Sequence, residues 1–539
     1  MSLKPATRAG EEHLRQMLRL AASVAFLIAV GFYAAFSTES ITGLSNQALW
    51  FLIVAAAVGG YMAMNIGAND VANNMGPAVG SGAISMGWAI LIAVVFEALG
   101  AIIAGGEVVG TIKGGIIDSN AFSDPEKFTW LMLSALIAGA VWLNLATMLG
   151  APVSTTHSII GAVMGAGIAS GGWGLVNWGT ISSIVASWVI SPVMGGIVAA
   201  AFLYLIKHTI TYKSDMTQAA TRNVPLLVAL MAWAFGTYML LKGVSQLIKV
   251  SFGMAVLAGL VFAVVVYFAV SKPIARAAKR QPNNKDGVNA LFTWPLVFSA
   301  ALLSFAHGAN DVANAIGPLA AIYEALVSGA VAAKATTPLW IMVLGALGLS
   351  VGLALYGARL IMTVGKEITE LDRMRAYSIA MSATITVIVA SHFGMPVSST
   401  HIAIVAVFGV GFLRELLKVN YSKMEAVIRA GHQGEDKDAV EAYLVRFEAA
   451  PVEEKKRMLA DMKKRAASRK GMAPAKPEST DASPFDKKER KAFKKAYKKE
   501  LVKRSVVMRI VAAWIVTVPA TAVLSAMVYH GIAALLATA

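Results

Sequence analysis

"NIGANDVANNMGPAVG" runs from Asn65 to Gly80, and "AHGANDVANAIGPLA" runs from Ala306 to Ala320. Both contain Gly-Ala-Asn-Asp-Val-Ala-Asn followed two residues later by Gly-Pro, and both set an Asn-Asp pair among small, apolar residues. A second pair of stretches accompanies the first: "GAPVSTTHSIIGAVMGAG" at Gly150 to Gly167 and "GMPVSSTHIAIVAVFGVG" at Gly394 to Gly411. Asp70 precedes His157 by 87 positions, and Asp311 precedes His401 by 90. Two sentences in the same order at nearly the same spacing identify an internal duplication.

The surroundings of these stretches are those of a membrane protein. Of 539 residues, 57% are hydrophobic and 14% charged, and the mean hydropathy is +0.64, outside the range of soluble domains. Eleven apolar runs approach or exceed the ~20 residues of helix that cross a bilayer, from Met17–Phe36 to Met508–His530 and including Met86–Val109 and Ala290–Ala306. Between them lie apolar segments too short or too rich in Gly and Pro to span cleanly. The first run follows Lys4, Arg8, Arg15 and Arg19, is too long for a signal-peptide core and lacks a clear cleavage site, so it reads as a retained helix. The chain has no Cys, which removes disulfides and thiolate-held metals.

The net charge of +16 does not point to nucleic acid, because it is concentrated. From Arg414 to Arg504 there are 25 Lys and Arg against 15 Asp and Glu, so 25 minus 15 leaves ten of the sixteen charges in one polar segment. A basic segment beside membrane spans reads as cytoplasmic, and "KKERKAFKKAYKKE" at Lys487 to Glu500 suits anionic lipid headgroups. The expected organisation is an extra transmembrane helix at 1–47, a first repeat at 48–270, a cytoplasmic linker at 271–289, a second repeat at 290–413, the basic loop at 414–505 and a final helix at 506–539. With the N-terminus and the loop both cytoplasmic, the final span requires an odd number of crossings. The loop reads as partly helical, with a flexible linker at Gly471 to Pro484.

Duplicated halves with polar interruptions at corresponding places point to a secondary transporter with its site near the bilayer midplane. Asn69, Asp70, Asn310 and Asp311 are residue types that cap helices in water. In a bilayer an ionised carboxylate costs several kcal/mol and faces a cavity or a partner. Each half is expected to form a short helix, a break at Gly76-Pro77 or Gly317-Pro318, and a return. The oxygens of Asp70 and Asp311, with Asn73 and Asn314 one turn on, suit a hard alkali cation. In "PVSTTH" and "PVSSTH", Pro152 or Pro396 ends one helix, and Ser154, Thr155 and Thr156 or Ser398, Ser399 and Thr400 open the next. Hydroxyls at a helix N-terminus favour a tetrahedral oxyanion. Neither sentence contains Lys or Arg, so the anion is held by neutral donors and a co-bound cation, and remains releasable. His157, His401 and His307 are readable either as proton carriers or as packed side chains. Glu97 is a lone acid within a span, Glu107 is expected near an interface, and Glu324 and Lys334 as boundary charges.

"GANDVANNMGPAVGSG" with "PVSTTH", and "HGANDVANAIGPL" with "PVSSTH", resemble the paired signatures of the inorganic phosphate transporter (PiT) family, consistent with the chain from about Ala48 to Gly411 and the final span. The resemblance implies an all-α polytopic membrane protein of about 11–13 spans, built from two inverted repeats with broken or re-entrant helices. It implies phosphate and coupling cations between the halves, alternating access, a homodimer, and a place in the plasma membrane, here a bacterial inner membrane. Asn69 and Asn310 then join the six hydroxyls in the substrate site, and Glu97 joins Asp70, Asn73, Asp311 and Asn314 as a cation ligand. Some members carry a further acid before the second "PVSSTH"; here Ala380 stands near that place. The favoured function is sodium-coupled phosphate import, with no enzymatic activity and no cofactor beyond the coupling ion. The alternatives are a proton-coupled phosphate permease or a sulfate permease, and, further off, a membrane phosphate receptor or an enzyme.

Overall fold

The computed structural model describes residues 5–39, 44–118, 124–151, 153–243, 248–329, 337–367, 371–430 and 504–537. Pro152, Lys334, the linker at Gly471 to Pro484 and most of the basic loop lie outside the described residues. The described residues are nearly all helical, and twelve helices are long and apolar enough to cross a membrane. The chain is a multi-pass membrane protein.

Helix α1 is Pro5–Thr38. Then follow α2 (Asn46–Gly80), α3 (Met86–Ala104), α4 (Gly106–Gly114), α5 (Pro125–Leu149), α6 (Thr155–Gly171) and α7 (Trp178–Ile206). Helices α8 (Met216–Lys242) and α9 (Phe252–Ala278) and the short α10 (Lys285–Leu291) come next. Beyond them lie α11 (Thr293–Asp311), α12 (Ala313–Ser328), α13 (Leu339–Glu367), α14 (Arg373–His392), α15 (Ser399–Ala430) and α16 (Arg504–Ala537).

The direction of the chain shows the inversion. Asp118 N–H donates to the Leu175 carbonyl and Asn177 N–H to that of Ile116, both at 2.9 Å, so α5 leaves and α6 returns at one face. Three crossings, α7, α8 and α9, then carry the chain to the opposite face before α11 begins. The two repeats therefore enter from opposite sides. Their packing is exchanged accordingly: α2 lies on α13 as α11 lies on α3, and α16 lies on α6 as α15 lies on α7. Small residues permit these contacts. A Cβ added at Gly67 would overlap the Leu349 carbonyl oxygen, and one at Gly308 would overlap that of Glu97.

Several expected boundaries change. The run Met86–Val109 is divided at Gly105, the Ala290–Ala306 run extends through α12, and Ser399–Leu417 supplies a further apolar helix. The Gly-Ala-Asn-Asp sentence does not begin a helix. It lies inside the continuous α2, and in the second half only Val312 separates α11 from α12. The break and return occur instead at the "PVS" runs, where Gly150 (φ 71°) and Gly394 (φ 65°) take the left-handed conformation that ends α5 and α14. Pro77 and Pro318 are accommodated within helices. Having no N–H, they leave the carbonyls four residues earlier, those of Asn73 and Asn314, without the usual helical donor.

Glu324, expected at a boundary, is instead buried on α12 and ion-paired with the buried Lys113 of α4. Glu107, with its side chain 58% exposed as expected for an interfacial acid, pairs with Lys242 at 3.0 Å. Removing one member of a buried pair strands the other charge. Lys113→Met is expected to destabilise the protein by about 3–5 kcal/mol, and Lys113→Met with Glu324→Leu to recover most of that loss. Thermal unfolding in detergent distinguishes the two.

Candidate functional site

The two hairpins place the starts of α6 and α15 against Asp70 within α2 and Asp311 at the junction of α11 and α12. Ser154 caps α6 by accepting from the His157 N–H (3.1 Å), and Ser398 caps α15 by accepting from the His401 N–H (3.2 Å). The hydroxyls that follow point at the two aspartates. Asp70 accepts from Thr155 of its own repeat (2.9 Å) and from Thr400 of the other (3.0 Å). Asp311 accepts from Ser399 of its own repeat (2.5 Å) and from Thr156 of the other (3.5 Å). Each carboxylate is thus bound by both hairpins, and all six side chains are at most 2% exposed.

The asparagines divide into two kinds. Asn69 and Asn310 anchor the hairpin tips. With each amide meeting complementary partners, Asn69 donates to Asp70 (3.2 Å) and the Val153 carbonyl (3.2 Å) and accepts from Thr147. Asn310 likewise donates to Asp311 (3.0 Å) and the Val397 carbonyl (3.1 Å) and accepts from Ser391. Asn73 and Asn314 reach across instead. Asn73 donates to Thr400 (2.9 Å), and Asn314 to Thr155 and Thr156 (both 3.2 Å). The Oδ1 atoms of both are buried with no hydrogen-bond partner among the described residues.

On one side the two-fold correspondence fails. His307 Nε2 lies 2.9 Å from Asp311 and 3.6 Å from Asp70, and its Nδ1 lies 3.3 Å from Glu97. Glu97 also accepts from Asn74 at 2.8 Å. Asp70, His307 and Asp311 bring their ligand atoms within 4.8 Å of one another, a set capable of holding a metal ion. Glu97 reaches that set through His307. By position in the repeated sentence, His307 corresponds to Ile66 and Asn74 to Ala315. Through the contacts of Gly67 and Gly308, Glu97 corresponds to Leu349. Ala380, near the place where the resemblance puts a further acid in some members, is fully buried.

Asn74, Thr147 and Ser391 are not legible in the sequence as site residues, because each lies outside the motifs' most distinctive positions. His307 is legible as a residue but not as the centre of a carboxylate cluster. The signal available is its replacement of Ile66 in an otherwise repeated sentence.

The geometry converges helix N-termini from opposite directions on paired buried carboxylates, inside an inverted duplication. Such an arrangement is that of a membrane transporter. Residues 66–525 match the family described as "Phosphate transporter family". A Helicobacter pylori J99 protein described as "Putative phosphate permease" is 50% identical over 535 residues, covering 98% of this chain and 97% of that protein. A Pyrococcus abyssi protein, likewise described as a putative phosphate permease, is 40% identical over 378 residues, covering 70% and 93%. A solved structure described as "The sodium-dependent phosphate transporter" aligns with TM-score 0.71 and 31% identity over 90% of this chain and 99% of that one. The chain belongs to the phosphate transporter family, and is a transporter and not an enzyme.

Thr155→Val and Ser399→Ala each remove the hydroxyl donor from the carboxylate of its own repeat. A hydrogen bond to a charged group contributes about 1.5–3 kcal/mol, so each variant is expected to lose about that much stability, which thermal unfolding in detergent measures.

Proposed function

We propose that the protein imports inorganic phosphate by alternating access, coupled to sodium, across a bacterial inner membrane. The observation that carries this reading is the crossed pairing of each carboxylate with hydroxyls from both hairpins. It sets two helix N-termini, which favour anions, against carboxylate oxygens that favour a cation. Sodium is bound by Asp70 and Asp311, which frees the hydroxyls of α6 and α15 to turn from the carboxylates and, with the open N–H groups beside them, to donate to phosphate. The unpartnered Oδ1 atoms of Asn73 and Asn314 complete the sodium shell. Hard oxygen donors of this kind suit an alkali cation. The binding energy of each ion depends on the other, so neither crosses efficiently alone.

The sodium dependence of the aligned transporter supports sodium as the driving ion. His307, set among three carboxylates, favours the second reading, in which a proton drives transport. Phosphate uptake into reconstituted vesicles under sodium and proton gradients imposed separately decides between them. The sodium gradient alone is expected to drive accumulation; accumulation under the proton gradient alone, with sodium absent, reverses the assignment. Asp70→Asn and Asp311→Asn keep volume but replace a charged ligand with a neutral one. Each is expected to lower apparent sodium affinity by at least tenfold, and unchanged sodium dependence in both excludes these aspartates as ligands.

A further inference from the structure

His157 and His401 are used neither by the cation nor by the hydroxyl network. They occupy the third positions of α6 and α15, immediately after Thr156 and Thr400. Their rings meet edge to face, with centroids 4.3 Å apart and planes at 88°. Trp188 packs on the far side of His157 at 3.7 Å, and Trp514 on that of His401 at 3.6 Å. The four rings form a column across the pseudo-two-fold axis, with His157 6% and His401 2% exposed.

Neither nitrogen of His157, nor Nε2 of His401, has a hydrogen-bond partner among the described residues. Buried polar atoms are rarely left so. A neutral imidazole offers one N–H and one lone pair.

The placement ties the pair to the anion. Successive residues of a helix turn by about 100°. Thr155 and Thr156 point at the carboxylates, so His157 is the next step round the same N-terminus, as His401 is on α15. The two helix starts therefore carry hydroxyls that meet the carboxylates and, next in the turn, imidazoles with buried, unpartnered nitrogens. In the reading above the carboxylates and the unpartnered Oδ1 atoms of Asn73 and Asn314 belong to the cation, and the imidazole lone pairs are further acceptors at the same helix starts.

From this we infer that His157 and His401 are specificity-determining residues, which recognise the protonated oxygen of hydrogen phosphate and so reject sulfate. At neutral pH phosphate and arsenate carry a hydroxyl on the central atom and sulfate carries none. Sulfate would leave the buried lone pairs unmatched, and sites built to pair with a ligand's hydrogen-bonding group discriminate strongly against analogues that lack it. This inference rests on the anion site proposed above.

The test uses the full-length protein, purified for equilibrium binding and reconstituted for uptake, with labelled phosphate and with arsenate and sulfate as competitors. For the wild type, arsenate is expected to compete comparably with phosphate and sulfate at least 100-fold less well. His157→Phe and His401→Phe keep a ring against each tryptophan but remove the nitrogens. Each is expected to weaken phosphate and arsenate by at least tenfold with little change for sulfate, so that selectivity narrows. His157→Asn, which restores an acceptor and a donor, is expected to recover part of the selectivity, and provides the reading if the Phe variants fail to fold. Parallel loss of all three anions, or unchanged selectivity in the Phe and Asn variants, overturns the inference. A wild type that binds no phosphate overturns the anion site itself, and one that binds sulfate as tightly overturns the selectivity alone.

Discussion

Two buried carboxylates within an apolar bundle are the constraint around which this protein is organised. An unpaired charge at that depth is too costly to keep, so Asp70 and Asp311 must be compensated locally. No single repeat does this. Thr155 and Ser399 come from the same half as the carboxylate they meet, and Thr400 and Thr156 from the opposite half. The crossed pairing makes each half incomplete without the other. It also explains why the hairpins penetrate the bundle: the hydroxyls must be delivered on helix starts to carboxylates that are fully buried.

The same constraint accounts for what is legible in the sequence. The duplication, the all-helical architecture and the re-entrant "PVS" segments follow from repeated words and Gly-Pro placement, because those words encode backbone turns. The Gly-Ala-Asn-Asp sentence is written in residue types that cap helices in water. Here Asp70 receives its hydrogen bonds from hydroxyls on other helices and Asn69 holds a hairpin tip, so neither caps and α2 runs on. The Gly-Pro pairs read as breaks, whereas their contribution is to relieve the Asn73 and Asn314 carbonyls of helical donors. Pairings across hundreds of positions, such as that of Glu324 with Lys113, carry no local signature.

The departure from two-fold equivalence is confined to one corner. Along the axis the halves match hydroxyl for hydroxyl, asparagine for asparagine and imidazole for imidazole. Around His307 they do not, because Glu97 faces it and Asn74 bonds to Glu97, where Leu349 and Ala315 stand in the other half. A ligand lying on the axis meets nearly the same surroundings from either repeat. That is what alternating access requires of the transported anion, since outward and inward states must lie within a few kcal/mol of each other to exchange. A charge bound off the axis, beside His307 and Glu97, meets different surroundings in the two states. Such a charge shifts their balance only by its difference in affinity between them.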